Sequence, residues 1–152
     1  MPRAPFQVLV LPFRVLDSGQ VEYALLRRKD SGEWQGVAGG GDDDETPEQA
    51  ARRETAEETG LPSSCPLIRL QSLASVPSVI FPAHVHWPKD LLVIPEYAFG
   101  VNATGRDLVL SDEHEDLRWC SESEARRLVR WDSNRTALWE LARRLESGSV
   151  PR

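Results

Sequence analysis

The sequence predicts an α/β domain built on a mixed β-sheet. Three observations carry that expectation: β-branched apolar runs separated by turn residues, one firmly capped helix in the first half of the chain, and helical apolar patterns toward its end. Strand pairs followed by a helix, more strands and terminal helices do not make the regular βαβ alternation of a purely parallel sheet. The chain has 152 residues, enough for one well-buried core and short for two, so residues 1–152 are expected to form a single domain.

Taken in order, Phe6 to Leu16 and Val21 to Arg28 read as two strands joined by Asp17-Ser18-Gly19-Gln20, a hairpin signature. The second ends in Arg27, Arg28 and Lys29, which are either solvated strand-end charges or, at Arg28, a reach toward a substrate phosphate. Trp34 to Val37 is a short strand feeding Gly39-Gly40-Gly41, read as a glycine-rich turn. Trp34 is either a core aromatic or a ring on which a base stacks, since an amphipathic ring serves both uses. Thr46 with Gln49 makes a capping box, Pro47 suits the first helical position, and Gly60 suits a left-handed C-terminal cap. A helix therefore spans the residues between.

Leu67 to Ser78 reads as a strand, and Val79 to Asp90 as a loop rich in proline and aromatic residues. Loops of that length in a compact domain are often functional, so His84 and His86 are candidate substrate contacts as well as ordinary surface polar groups. Leu91 to Val101 is another strand, with a turn at Asn102 to Gly105. Ser121 with Glu124 is a second capping box opening a helix over Glu122 to Val129. A last helix runs from about Asn134 to Leu145 on an apolar stripe of Ala137, Leu138, Leu141, Ala142 and Leu145, with Trp131 and Trp139 as packing residues and fraying expected after Ser147.

The middle helix has a charge pattern that needs explaining. Glu54, Glu57 and Glu58 project over neighbouring turns in its C-terminal half, where like charges repel and the helix dipole disfavours them. Arg53 pairs with Glu57 at i, i+4, which suits a solvated, charge-laced face, but one arginine offsets one of three. A divalent cation would offset the rest, because hard ions such as Mg²⁺ take carboxylate oxygens and keep waters that a phosphate can replace. The triplet Asp42-Asp43-Asp44 is a weaker ligand candidate and reads as a solvated loop.

These residues resemble a known pattern. Gly39, five residues, Glu45, seven residues, Arg53-Glu54, then Glu57-Glu58, one residue, Gly60 and Leu61 are similar to the Nudix box, the loop-helix-loop of the Nudix hydrolases. With each fixed position at roughly 5 to 7% usage, a chance match at a given start is on the order of 10⁻⁸. Thr55 departs from the aliphatic residue the pattern carries after Arg53-Glu54. The resemblance implies an α/β/α sandwich with the box helix against the sheet. It further implies Mg²⁺ or Mn²⁺ held by Glu54, Glu57 and Glu58, with Gly39 offering backbone near the metal and Arg53 orienting a glutamate.

A longer likeness covers most of the chain: Arg27-Arg28, Glu33-Trp34-Gln35, Glu113-His114, Trp119, Trp131 and Ser133-Asn134-Arg135 resemble the dihydroneopterin triphosphate pyrophosphohydrolases. It puts Glu113 at an additional metal-binding position, as ligand or as base acting on water. Two stretches differ from that branch, the Asp42 to Asp44 triplet and the His84 to Asp90 loop. The implied activity is hydrolysis of a pterin or nucleoside triphosphate with release of pyrophosphate. Alternatives are hydrolysis of dinucleoside polyphosphates or oxidised nucleotides, and a binding module that keeps the fold without turnover.

Composition narrows the partners. Lys and Arg number 18 against 24 Asp and Glu, a net charge of −6, which opposes binding to a nucleic-acid polymer. It does not oppose a small phosphorylated substrate, because bound cations reverse a local field. Cys65 and Cys120 have no metal-ligand spacing and read as reduced packing residues. No stretch reaches the ~20 apolar residues of a membrane span, and the N-terminal run reads as a strand and not a signal peptide, so a cytoplasmic monomer or homodimer is expected.

Overall fold

A computed structural model describes residues 2–148. In chain order the elements are strand β1 (Arg3–Val15), β2 (Val21–Arg28), β3 (Trp34–Gln35), β4 (Val37–Asp42), helix α1 (Pro47–Thr59), β5 (Leu67–Pro77), β6 (Val93–Asn102), β7 (His114–Cys120), α2 (Glu122–Leu128) and α3 (Asp132–Ser147). The seven strands form one mixed sheet in the order β3-β2-β1-β6-β5, with β4 also on β1 and β7 on β2. Among the described residues β1 and β6 form the parallel strand pair, the other strand pairs being antiparallel.

β1 is the axis of the molecule. Its residues Val8 to Leu11 and Phe13 are essentially inaccessible, and successive side chains enter different cores as strand geometry requires. Leu9, Leu11 and Phe13 join Leu25, Leu138 and Leu141 in the core under α2 and α3. Val8 and Val10 join Val37, Ala50, Ala51 and Phe99 in the core under α1. The sheet is thus covered on both faces, the α/β/α sandwich expected for this family resemblance.

Most local expectations hold. Thr46 is extended and accepts from the Gln49 N–H while the Gln49 side chain accepts from the Thr46 N–H, and Gly60 closes α1 at φ 74°. The hairpin between β1 and β2 pairs Val15 with Val21. Both cysteines are buried and free. Thr55 is buried, but its hydroxyl donates to the Ala51 carbonyl at 2.7 Å, so the polar atom is satisfied within the helix.

Four expectations are corrected. Gly39, Gly40 and Gly41 lie inside β4 and not in a turn: a Cβ there would collide with Glu54, Arg3 and Phe6 respectively. The glycines thin the strand so that charged and aromatic side chains can cross it. The 79–90 stretch folds into short 3₁₀ turns, Ser78–Ile80 and Pro82–His86. Ser121 caps α2 through the Glu124 N–H, but Glu124 turns away to Arg118, so the box is half formed. Trp131 and Trp139 are 44% and 48% exposed and carry Arg130 and Arg143 against their rings instead of packing in the core. The fraying expected after Ser147 concerns residues 149–152, outside the described residues; Gly148 caps α3 in the left-handed conformation. Among the described residues no helix is long and apolar enough to cross a membrane.

Because α1 is held at its start by a reciprocal cap, Thr46→Ala should cost about 1 kcal/mol and lower Tm by roughly 2–4 °C. Thermal unfolding followed by circular dichroism measures it. An unchanged Tm would mean the cap is not anchoring the helix.

Candidate active site

The site is assembled where the last two turns of α1 meet β4 and the start of β7. Arg53 is its hub. Its guanidinium donates to both Glu45 oxygens at 2.8 and 2.9 Å, to Glu54 Oε1 at 3.0 Å and to the Gly40 carbonyl at 2.9 Å, and lies 3.3 Å from Glu57 Oε2. Those hydrogen bonds, Glu45 first, raise the Arg53 pKa, and the same contact holds the Glu45 carboxyl below its ordinary range. Glu45 also accepts from the Asp42 N–H at 2.8 Å, which locks the turn before the helix.

Behind Arg53 one carboxyl, Glu58, is left in a dry place, with the partly buried Glu54 beside it. Glu58 is 2% exposed and neither of its oxygens has a hydrogen-bond partner. Burial, and after it the Glu54 carboxyl alongside, pushes its pKa up. Burial also raises the pKa of Glu54, which approaches β4 at the place where Gly39 has no Cβ. His114 Nε2 stands 3.5 Å from Glu58 Oε1, with both ring nitrogens buried and without hydrogen bonds, and burial lowers its pKa. With its pKa lowered, the imidazole supplies no counter-charge that would draw the Glu58 pKa back down.

Glu113 is exposed, and its charge acts on Glu58, Arg28 and His114, which places it beside the cluster. Glu57, its side chain 58% exposed, faces solvent next to Arg53. Among the described residues no three His, Cys, Asp or Glu converge as a finished cage. The buried, unpartnered oxygens of Glu58 beside Glu54 nonetheless fit a hard cation, since burying carboxylates without compensation is costly and oxygen donors are what such ions take.

Next to the cluster opens a cleft of about 760 Å³, between the sheet, the Ser78–Phe81 turn and the start of α3. Arg28 lines it and is held by Asp30 through two hydrogen bonds of 2.9 and 2.7 Å. That contact, with the nearby charges of Glu113 and Glu58, raises the Arg28 pKa. Ala38, adjacent to Gly39, lines the same space.

Trp34, His84 and His86 are not on the cleft wall. Trp34 packs against the α2/α3 core with Arg27 over its ring. His84 Nδ1 bonds the Phe81 carbonyl at 2.8 Å and His86 is exposed. Sequence reasoning passed over Gln7, Glu96 and Arg3. Gln7 and Glu96 line the cleft, and Arg3 lies over the Phe81 ring at 4.2 Å and feels the Glu54 charge. Their only signal was a polar residue inside an otherwise apolar strand.

A family model, the NUDIX domain, matches residues 7–139. No curated protein matches the chain. A solved structure from Listeria monocytogenes assigned to the Nudix hydrolases is 40% identical, with a TM-score of 0.87, covering 98% of this chain and 99% of that one. The dihydroneopterin triphosphate pyrophosphohydrolase of E. coli is 27% identical, with a TM-score of 0.72, over 90% and 93%. An Ap4A hydrolase of C. elegans is 20% identical, with a TM-score of 0.74, over 95% and 99%, a likeness of fold. Nudix hydrolases generally use divalent cations, typically Mg²⁺. With the family matched over most of its length, this chain belongs to the Nudix hydrolases and is a pyrophosphohydrolase.

Proposed function

We propose that the enzyme cleaves an anhydride bond in a ring-bearing triphosphate, releasing pyrophosphate and a monophosphate, with dihydroneopterin triphosphate as the favoured substrate. The observation that carries this reading is the buried, unpartnered Glu58 carboxyl beside Glu54, joined through the charge of Arg28 to a cleft large enough for a heterocycle and its sugar or side chain. The 27% identity to the E. coli enzyme over nine-tenths of the chain supports the choice of ring.

Glu54, Glu57 and Glu58 would hold Mg²⁺, or Mn²⁺, directly or through water. A cation held there would supply neutralisation of phosphate oxygens and acidification of water. Arg53 keeps Glu54 and Glu57 aimed and fixes the loop through Glu45 and the Gly40 carbonyl. Arg28 reaches the phosphate chain from the cleft side. The attacking water forms the new P–O bond as the α–β anhydride bond breaks, and pyrophosphate leaves with its bridging oxygen. Glu113, exposed and free of a tight arginine, accepts the water proton. Trp34, His84 and His86, offered by the sequence as substrate contacts, have no part in this arrangement.

The test is pyrophosphate release with Mg²⁺ across dihydroneopterin triphosphate, common nucleoside triphosphates, an oxidised dGTP and diadenosine polyphosphates. The highest kcat/KM should fall on dihydroneopterin triphosphate; a maximum on diadenosine polyphosphates would overturn the choice of substrate. Glu57→Gln should abolish metal-dependent turnover in a folded protein, and a near wild-type rate would remove it from the ligand set. Glu113→Gln should lower kcat by about 10²–10⁴-fold with little change in KM. Glu58→Gln replaces a buried carboxyl that has no counter-charge beside it. Without metal its Tm should equal or exceed that of the wild type, whereas Mg²⁺ at a hundredfold excess over Kd should stabilise only the wild type, by about 2.7 kcal/mol. Equal stabilisation of both proteins would place the ion elsewhere.

A further inference from the structure

Gln7 on β1 and Glu96 on β6 are direct partners in the parallel register of the two strands, and both line the cleft. Partners in register share a sheet face, so the two side chains stand next to each other on the cleft wall. Each interrupts an apolar strand.

Their hydrogen-bonding polarity is fixed by what surrounds them. Arg3 Nη2 donates to Gln7 Oε1, and a guanidinium has only donors, so the amide oxygen must face Arg3. Gln7 Nε2 is then left as a donor. Glu96 has no basic partner among the described residues; it is partly buried, with Ser133 its one hydrogen-bonding neighbour, and burial raises its pKa. Hydrogen bonds from a bound ring would favour its charged form, and that carboxylate, with about four lone-pair sites, offers an acceptor at each oxygen beyond the Ser133 contact. The wall therefore presents donor, acceptor, acceptor in sequence.

The complementary edge is acceptor, donor, donor: a ring carbonyl, a ring N–H and an exocyclic amine. A 2-amino-4-oxopyrimidine edge has that order, in guanine and in pterins alike. Adenine offers an amine donor beside an unprotonated ring nitrogen, and that nitrogen would face a carboxylate oxygen with lone pair against lone pair. Trp131 lines the same cleft with a half-exposed ring, a flat apolar face for a heterocycle.

We propose that Gln7 and Glu96 read the 2-amino-4-oxopyrimidine edge of the substrate ring and so restrict the enzyme to guanine-type or pterin-type compounds over adenine-type ones. This rests on the reading of the cleft as the ring site of a triphosphate hydrolase. Glu96 is a specificity residue, far in sequence from the carboxylates assigned to the cation.

Two measurements test it. Calorimetric binding of guanosine, neopterin and adenosine needs no turnover. Guanosine or neopterin should bind more tightly than adenosine by about tenfold or more, the discrimination a bidentate pair supplies. Whichever of the two binds better identifies the ring source. Glu96→Gln puts one acceptor and one donor on the wall, the complement of adenine, so the preference should fall away or reverse. The second measurement is kcat/KM for GTP against ATP, expected to favour GTP in the wild type and to lose that bias in the variant. Equal affinity of the wild type for guanosine, neopterin and adenosine, or equal kcat/KM for GTP and ATP, overturns the proposal while leaving the hydrolase reading standing. Ring selectivity that depends on Glu96, with no triphosphate hydrolysed, would sustain the edge recognition and sink the substrate class instead.

Discussion

One dry carboxyl, Glu58, with the partly buried Glu54 beside it, governs the rest of this structure. Glu54 and Glu58 sit in the C-terminal half of α1, against the helix dipole, and only Glu54 touches the guanidinium of Arg53. Arg53 spends most of its donors on Glu45 and the Gly40 carbonyl, so Glu58 is left with no counter-charge in contact. Left alone, such a group is a liability of some kcal/mol, or else takes up a proton. The helix tolerates it because its own ends are firmly capped and because Ala50, Ala51 and Leu61 anchor it in an apolar core. Stability is thus concentrated at the ends and inner face of α1, and the proposed cation site at the corner that is electrostatically unfinished.

That corner exists only because β4 is thin. A side chain at Gly39 would occupy the space of the Glu54 carboxyl, and one at Gly40 the space of Arg3. Glycine weakens a strand by loss of packing and by entropy. β4 compensates by pairing with β1, the most buried strand, from Gln7 to Val10. The close approach of α1 to the sheet and the weakness of the strand beneath it are one constraint.

Legibility in the sequence follows the range of the interactions. α1, its caps and its acidic face are set within Gly39 to Leu61 and could be read from spacing, because i, i+3 and i, i+4 relations need no tertiary knowledge. The same stretch misled over Gly39 to Gly41: consecutive glycines signal a turn, and only the neighbours crossing above them make them a strand. Trp34, His84 and His86 suggested themselves by residue type, but type says nothing about facing, and the structure turns them to the core, to a backbone carbonyl and to solvent. Gln7 and Glu96 could not be found locally, since they are brought together by the β1–β6 register alone. Trp131 looked like packing because aromatic residues usually are.

Arg3 joins the two ends of the site. It donates to Gln7, lies against the Phe81 ring, occupies the gap above Gly40 and is drawn by the charge of Glu54, while burial lowers its pKa. Its position depends on the acidic cluster and on the aromatic turn at once, and in turn it decides which way the Gln7 amide points. Any rearrangement that neutralises Glu54, such as arrival of a cation, weakens one of the forces holding Arg3 without touching its stacking on Phe81 or its bond to Gln7. The proposed ring-reading wall is therefore buffered against a charge change at Glu54, because a cation-π contact and a hydrogen bond to a neutral amide oxygen remain when the Coulomb attraction fades. In the proposed site the strands would set what binds and the helix what reacts, and Arg3 touches both.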